Sequence, residues 1–195
     1  MIYTVAGKGD KLNKQIRITF LSALLFTFIL ISILIAEPVF AWHFNGHFWI
    51  IAPVNLYFLV EPNVSTESWC GWYNAQLVWN DAPDSPTEFI YTEDDSIDVI
   101  TCEYANNPLT WSGYSWFNPD SGYISKAGAW INEYFTDAYS YYKRVSTAAH
   151  EFGHVIGLAH NSGAYLMEHY DSIRYDDNGI YSPTPTDIDE VNALY

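Results

Sequence analysis

The feature that most constrains this chain is a group of three histidines within the eleven residues HEFGHVIGLAH, 150–160. His150 and His154 are four residues apart, so on a helix both imidazoles leave the same face and can bind one metal ion. Glu151 lies about 100° further round the helix, beside the open coordination position of that ion. Gly157 lets the chain double back, so that His160 can supply a third nitrogen. Three protein ligands leave the fourth position of a tetrahedral Zn²⁺ for water, which is typical of a catalytic site.

This run resembles the HExxHxxGxxH signature of the metzincin metallopeptidases. Met167, seven residues past His160, is similar to the methionine of their Met-turn, and residues 185–195 resemble the last helix of matrixin catalytic domains. The resemblance covers residues 52–195. It implies an α+β, zincin-like domain with a twisted mixed sheet of about five strands and three helices, in which a Met-turn follows the active-site helix.

The resemblance also implies an activity, that of a zinc metalloendopeptidase of the EC 3.4.24 type. Carried over to this sequence, the three histidines bind one zinc ion, Glu151 is the general base, and Met167 supports the site. A peptide substrate would add to an antiparallel edge strand, which we place within residues 109–117. Zinc would lower the pKa of its bound water, and Glu151 would accept that water's proton and return it to the leaving amine.

Two positions depart from the usual matrixin pattern. Asn161 stands where Ser usually follows the third histidine, and His169 stands where Pro usually lies two residues after the methionine. Tyr170 is three residues past the methionine, so we do not assign it as a ligand. We expect His169 to be a solvated loop histidine; the alternative is that it approaches the metal or a substrate. We expect His43 and His47, four residues apart near the start of the catalytic domain, to lie on an exposed terminus; the alternative is that they ligate a second ion.

The first 41 residues differ in composition from the rest. They carry four basic and two acidic side chains, whereas the other 154 residues carry four basic and 21 acidic ones, a net charge of -17. The uncharged stretch 18–36 follows the basic residues, and Val39 and Ala41 suit a signal-peptidase site. We therefore predict a secretory signal peptide at 1–41 and an extracellular, matrixin-like catalytic domain at 42–195. The alternative is that residues 18–36 remain as a membrane anchor.

Export bears on the two cysteines of the chain, Cys70 and Cys102. In an oxidising compartment they can form one disulfide, closing a loop of about thirty residues. The alternative is two free buried thiols.

Local patterns predict the order of the secondary structure. Apolar runs bounded by turn residues predict strands at 54–60, 88–92, 98–102, 109–117 and 124–132. Helices are predicted at 66–80, with an apolar face of Trp69, Tyr73, Leu77 and Trp79; at 138–156, closed by Gly157; and from Thr186, where a capping-box pattern opens the last one. Strands first and main helices late indicate an α+β domain with a mixed sheet.

Two acidic turns are candidate sites for a second metal. The runs Glu93–Asp95 and Asp171–Gly179 offer hard oxygen ligands, and related matrixin domains carry structural calcium. Neither run matches an EF-hand loop, so the usual interpretation, a solvated turn, stays open beside bound Ca²⁺.

Composition excludes some partners. With 8 Lys plus Arg against 23 Asp plus Glu, the chain lacks the clustered basic side chains that phosphate contacts require, so we expect no nucleic-acid partner. The expected partner is a protein or peptide substrate, cleaved by a monomer. Two other functions stay open: a secreted zinc-holding module that binds glycans or cell-wall polymers, suggested by 16 Tyr and 8 Trp, and a zinc hydrolase of another amide.

Overall fold

The computed structural model describes residues 44–49, 55–94, 100–108, 110–120 and 123–195. The predicted signal peptide, 1–41, and His43 lie outside these ranges. Within them, no helix is both long enough and apolar enough to cross a membrane.

Six strands form one sheet among the described residues. Their bounds are β1 Phe48–Trp49, β2 Asn55–Val60, β3 Glu88–Tyr91, β4 Ile100–Ala105, β5 Gly113–Asp120 and β6 Tyr123–Asn132. The order is β1–β6–β4–β2–β3 with parallel pairing throughout, and β5 runs antiparallel along the other side of β6. The predicted mixed sheet with an antiparallel strand beside the site is therefore confirmed.

In the described part of the chain, four α-helices and one π-helix accompany the sheet. Their bounds are α1 Thr66–Asn80, α2 Glu133–Thr136, α3 Tyr141–Val155, the π-helix Ser172–Asp177 and α4 Pro185–Leu194. Ser65 and Ser140 begin the two long helices, each side chain accepting a backbone N–H three residues on. The structure confirms the α+β class.

The core lies between the sheet and the helices α1 and α3. Phe152 of α3 is its centre: its ring stacks on Phe89 of β3 at a centroid distance of 4.4 Å. Trp72 of α1 and Phe58 of β2 each lie 5.3 Å from the same ring. This aromatic packing holds α3, the helix that carries the histidine motif, against both α1 and the sheet.

The buried face of α1 differs from the predicted one. Its buried residues are Ser68, Gly71, Trp72, Ala75 and Trp79. Of the predicted apolar face, Trp79 is buried and Trp69 packs partly buried against the core, whereas Tyr73 and Leu77 are 38% and 39% exposed, so the prediction was wrong for these two. The reason is steric: Gly71 and Ala75 are small, so α3 can pack closely over them, and a Cβ on Gly71 would already lie 3.3 Å from Cγ of Arg144.

Other boundaries also moved. β5 begins at Gly113 rather than at 109, and the helix predicted from 138 begins at Tyr141, after its N-cap Ser140. The short helix α2, which Asn132 caps, was not predicted. The capping box of the last helix uses Thr184 with Asp187, not Thr186, because Pro185 occupies the first turn. The π-helix was not predicted.

The predicted disulfide is absent from the structure, in which Cys70 and Cys102 are both free. Cys102 on β4 is fully buried in the core. Cys70 lies two residues, or about 200° of helical rotation, from the buried Ser68 and Trp72, so it leaves the opposite side of α1. The thiols therefore do not face each other, and the open alternative of unbridged cysteines is what the structure has, although Cys70 is only half-buried.

Candidate active site

The helix α3 brings the histidine motif to one place. His150 and Glu151 are buried, and His154 follows one turn later. One ring nitrogen from each of His150, His154 and His160 lies within 4.8 Å of the others. The two Nε2 atoms of His154 and His160 are 3.0 Å apart. The three predicted ligands therefore converge.

The turn after α3 makes this convergence possible. Gly157 has a φ of +105°, in the left-handed region that glycine adopts without strain. Leu158 N–H donates to Gly153 O and Gly157 N–H to His154 O, both at 3.0 Å, which is the Schellman arrangement at a helix C-terminus. The chain then reverses and places the exposed His160 beside His154. The predicted closing role of Gly157 agrees with this geometry.

Backbone carbonyls orient two of the imidazoles. Nδ1 of His150 lies 2.8 Å from Leu166 O, and Nδ1 of His154 lies 2.8 Å from Leu158 O. Because a carbonyl only accepts, Nδ1 of His154 carries the proton and its Nε2 has a free lone pair. Nδ1 of His150 faces both this kind of acceptor and a donor, Nη1 of Arg174 at 3.0 Å. Burial lowers the pKa of His150, and burial lowers the pKa of His154 to about 4. The rings are thus held neutral, which is the form that ligates a metal.

Met167 lies beneath the site helix, fully buried. A Cβ placed on Gly153 would collide with its Sδ, so the glycine makes room for the methionine. The carboxylate of Asp187 in α4 accepts the N–H groups of Leu166 and Met167 at 3.0 and 3.2 Å. The last helix therefore anchors the segment whose Leu166 carbonyl orients His150.

The side chain of Glu151 extends from α3 to the edge strand β5. Ser115 Oγ donates to its Oε2 at 2.6 Å. Burial raises the pKa of Glu151 to about 7, although the Ser115 hydrogen bond lowers it. Gly113 is required here, because a Cβ at that position would collide with the Glu151 carboxylate. A buried carboxyl group that titrates near neutrality suits a general base.

Arg174 of the π-helix is a part of the site that the sequence did not indicate. It is 2% exposed, and burial lowers the pKa of its guanidinium. Its Nε donates to Ser146 Oγ at 2.9 Å and its Nη1 donates to Glu168 O at 2.7 Å. Nη1 also lies 3.0 Å from Nδ1 of His150. Arg174 therefore ties the segment after Met167 to α3, directly behind a predicted ligand.

The two positions that depart from the matrixin pattern have distinct places. Asn161 donates from Nδ2 to Glu190 Oε1 of α4 at 3.3 Å, away from the histidine cluster. His169 is exposed, as expected, yet its Nδ1 lies 3.0 Å from Nδ1 of His160. The expectation of an exposed terminus around His47 was wrong, because its ring is half-buried against Phe117 at a centroid distance of 4.8 Å.

A cavity of about 410 Å³ opens over the histidines. The edge strand β5 and the residues before it form one wall, and the segment from His169 to Arg174 forms the other. Its lining includes Trp111, Ser112, Tyr114, Ser115, Phe117, Tyr170 and Asp171. Tyr139, just outside, donates a hydrogen bond to the Asp171 carboxylate. The cleft is therefore bounded on one side by a strand edge, as the edge-strand expectation required.

The donor set fits zinc. Zn–N bonds of 2.0–2.1 Å in a tetrahedral site place ligand nitrogens about 3.3 Å apart. The Nε2 atoms of His154 and His160 are 3.0 Å apart, all three ligand nitrogens lie within 4.8 Å of one another, and Nε2 of His154 is unprotonated. Among the described residues this is the only cluster of three or more metal-ligating side chains. In the candidate calcium turns, Asp176 pairs with Lys143 at 2.5 Å, and bound calcium stays a prediction.

The site combines a helix that ends at a glycine turn, three converging imidazoles and one buried glutamate. This combination is typical of metallopeptidases. The family model of the matrixins, Peptidase_M10, matches residues 86–195, more than half of the chain. The chain therefore belongs to the matrixin family, as the sequence motifs indicated.

Individual relatives are more distant. The chain is 36% identical to neutrophil collagenase from Homo sapiens over 81 residues, which are 40% of this chain and 17% of that protein. It thus spans about a sixth of that relative's length. Archaemetzincin from Archaeoglobus fulgidus, 15% identical, gives a TM-score of 0.46 and covers 70% of this chain and 99% of its own. The zinc-protease high choriolytic enzyme 1 from Oryzias latipes, 13% identical, gives a TM-score of 0.38, and the match covers 58% of this chain and 50% of that chain. Both TM-scores lie below 0.5, so family membership depends on the sequence match.

Proposed function

We propose that this chain is an exported zinc-dependent endopeptidase in which Glu151 activates the attacking water. The observation that carries the proposal is the place of the Glu151 carboxylate. It lies beside the three converging imidazoles, in the cleft, with a pKa raised by burial to about 7. A module that only binds a ligand has no use for such a group next to a metal site.

The edge strand offers a place for the substrate. β5 pairs with β6 on one side only among the described residues, from Gly113 opposite Ile131 to Phe117 opposite Ala127. The backbone groups on its other side border the cleft, so an extended peptide can add as a further strand. This mode of binding places a peptide carbonyl over the histidines and demands little of the side chains.

The chemistry divides between the ion and the chain. Bound by His150, His154 and His160, zinc supplies a Lewis acid and makes water more acidic. Glu151 accepts a proton from the attacking water and returns it to the leaving amine. Ser115 holds the carboxylate in place by its 2.6 Å hydrogen bond, and Met167 supports α3 from below.

Substitution of Glu151 tests the proposal. Glu151→Ala should keep zinc at one ion per chain and keep the fold, while peptide hydrolysis falls by about 10²–10⁴-fold because the general base is lost. The measurements are zinc content by mass spectrometry and cleavage of a peptide library. Glu67→Ala, an exposed glutamate on α1, is the matched control and should cleave as the unchanged chain does.

The outcomes separate the alternatives. Full hydrolysis by Glu151→Ala contradicts the role of the glutamate. Zinc binding with retention on cell-wall material, and no cleavage product from the unchanged chain, would instead favour a binding module.

Export is part of the same proposal. The signal-peptide pattern at 1–41 and the excess of acidic residues after it support secretion. Intact-mass measurement of the exported product should give a chain that begins at Trp42, whereas a product that begins at Met1 would indicate an anchor.

A further inference from the structure

We infer that the segment 44–49 positions the zinc ligands from outside the motif, and that Asn45 is the positioning residue that does so. This rests on the proposed zinc site. Asn45 lies 109 residues before His154 in the sequence, and nothing in the HEFGHVIGLAH run indicates it. The argument starts from the carbonyl groups at the end of α3.

A helix C-terminus leaves backbone carbonyls without partners in the helix. The Schellman bonds of α3 occupy the carbonyls of Gly153 and His154. The next three carbonyls, those of Val155, Ile156 and Gly157, need donors from elsewhere, because these three residues are buried.

The segment 44–49 and the last residue of the chain supply all three donors. Trp49 Nε1 donates to Val155 O at 3.0 Å, and Asn45 N–H donates to Gly157 O at 2.9 Å. Tyr195 Oη donates to Ile156 O at 2.9 Å and itself accepts Trp49 N–H at 3.1 Å. The end of the site helix is thus closed by one connected set of hydrogen bonds.

Asn45 differs from the others because it reaches a ligand residue. Its Nδ2 donates to His154 O at 3.0 Å, and its Oδ1 accepts His47 N–H at 3.0 Å. Its side chain also lines the cleft. One amide therefore links the second histidine of the motif to the segment.

The same segment confines the turn that leads to His160. Phe44 pairs with Leu158 as an antiparallel bridge. A Cβ on Gly157 would lie 2.7 Å from His47 O, so the turn and the segment are in close contact. The path from His154 to His160 is held on its outer side by 44–49, and this path decides whether two Nε2 atoms meet at one ion.

Groups that orient ligands without touching the metal typically change metal affinity by about 10–100-fold when removed. Asn45→Ala removes one donated and one accepted hydrogen bond and leaves all three histidines in place. We expect zinc affinity to fall by about 10-fold, because the third ligand is less well preorganised toward the second.

The test compares two asparagines in the full-length chain. Asn80 on α1 also makes one donated and one accepted bond, both to the backbone of Phe89 at 2.8 Å, and it is remote from the cleft. Asn80→Ala should lower the unfolding free energy of the zinc-free protein by about as much as Asn45→Ala does. Its zinc affinity, from chelator competition, should stay within about 2-fold of that of the unchanged chain.

A second readout reports ligand geometry directly. Cobalt substituted for zinc gives visible absorption bands that depend on how the ligands are arranged. These bands should shift in Asn45→Ala and not in Asn80→Ala. If Asn45→Ala does not fold, Asn45→Ser replaces it, since the shorter polar side chain equally lacks the amide donor.

Equal zinc affinity and equal cobalt spectra in the two variants would overturn the inference and leave the proposed function intact. Failure of the unchanged chain to bind zinc would instead overturn the proposed function.

Discussion

The two long helices of the domain are alike in construction and opposite in use. α1 and α3 both have fifteen residues and a serine N-cap, and they pack against each other and against the sheet. α1 buries only small, hydroxyl and aromatic residues. α3 buries eleven residues, and among them are Arg144, His150 and Glu151. α1 supports the core, whereas α3 carries the histidine motif.

The difference between α1 and α3 shows that a helix with buried polar side chains requires hydrogen-bond partners from its surroundings. A polar side chain can be buried only where partners compensate its lost hydration. His150 has the Leu166 carbonyl, Glu151 has Ser115, and Arg144 donates to the carbonyl of Thr136. α1 buries no charged side chain, and the partners of its buried Ser68 and Trp79 are the Ser65 hydroxyl and the Ala149 carbonyl. The functional helix is therefore the one that depends most on remote loops and strands.

The largest expected difference between the two helices is in the pH dependence of stability. Of α1 and α3, only α3 buries titratable groups whose pKa values are shifted. In zinc-free protein the pKa of His154 is lowered to about 4, so its contribution to stability is present above pH 6.5 and is lost as pH falls toward 4. Glu151, with its pKa raised to about 7, acts oppositely: its contribution is present below pH 4.5 and is lost as pH rises toward 7.

In Glu151→Gln, the loss of stability that the histidines cause at low pH should therefore no longer be offset. Between pH 7 and 4.5 the variant should lose up to about 3 kcal/mol more unfolding free energy than the unchanged chain, because the compensating carboxyl group is gone. Urea unfolding at both pH values after chelation measures this. Parallel pH profiles for the two proteins would show that Glu151 does not titrate in this range.

A smaller effect compares a glycine in each helix. Gly153→Ala on α3 places a Cβ against the buried Met167 Sδ and should cost about 1–3 kcal/mol by overpacking. Gly71→Ala on α1 meets Arg144 Cγ at 3.3 Å, and the gain in helix propensity, about 1 kcal/mol, should offset that contact.

Thermal or urea unfolding of both variants measures the contrast. Combining Gly153→Ala with Met167→Ala should give a loss smaller than the sum of the two single losses, because the collision disappears. Strict additivity would mean that the glycine does not make room for the methionine.

The smallest effect separates two buried tryptophans of α1. Trp79 Nε1 donates to Ala149 O of α3 at 2.9 Å, whereas Trp72 Nε1 has no hydrogen-bond partner within the described part of the chain. Both rings are fully buried, so the change to Phe removes similar volume. Trp79→Phe should cost about 1 kcal/mol more than Trp72→Phe, measured by urea unfolding. Equal losses would mean that this bond between the helices adds nothing to stability.

Site residues could be predicted where the interacting residues are close in sequence, and not where they are far apart in sequence. His150 and His154 converge because both stand on one helix at a spacing of four, and the glycine that reverses the chain toward His160 is close by. Ser115, Arg174 and Asn45 escaped prediction, because each meets the motif only after strands and loops from other parts of the chain have packed on α3. Ser115 stood within the predicted edge strand, but nothing in its spacing marked it as the partner of Glu151.

The sequence by itself determined most of the local elements, the histidine motif and the family, because helical period, turn residues and motif spacing act within about ten residues. Only the tertiary structure decided which face of α1 is buried, that Cys70 and Cys102 point apart, and which groups hold Glu151 and His154 in place. Burial is a property of two surfaces at once. The helix α3 packs over the small residues Gly71 and Ala75 of α1, and this contact leaves Tyr73 and Leu77 of the predicted apolar face exposed.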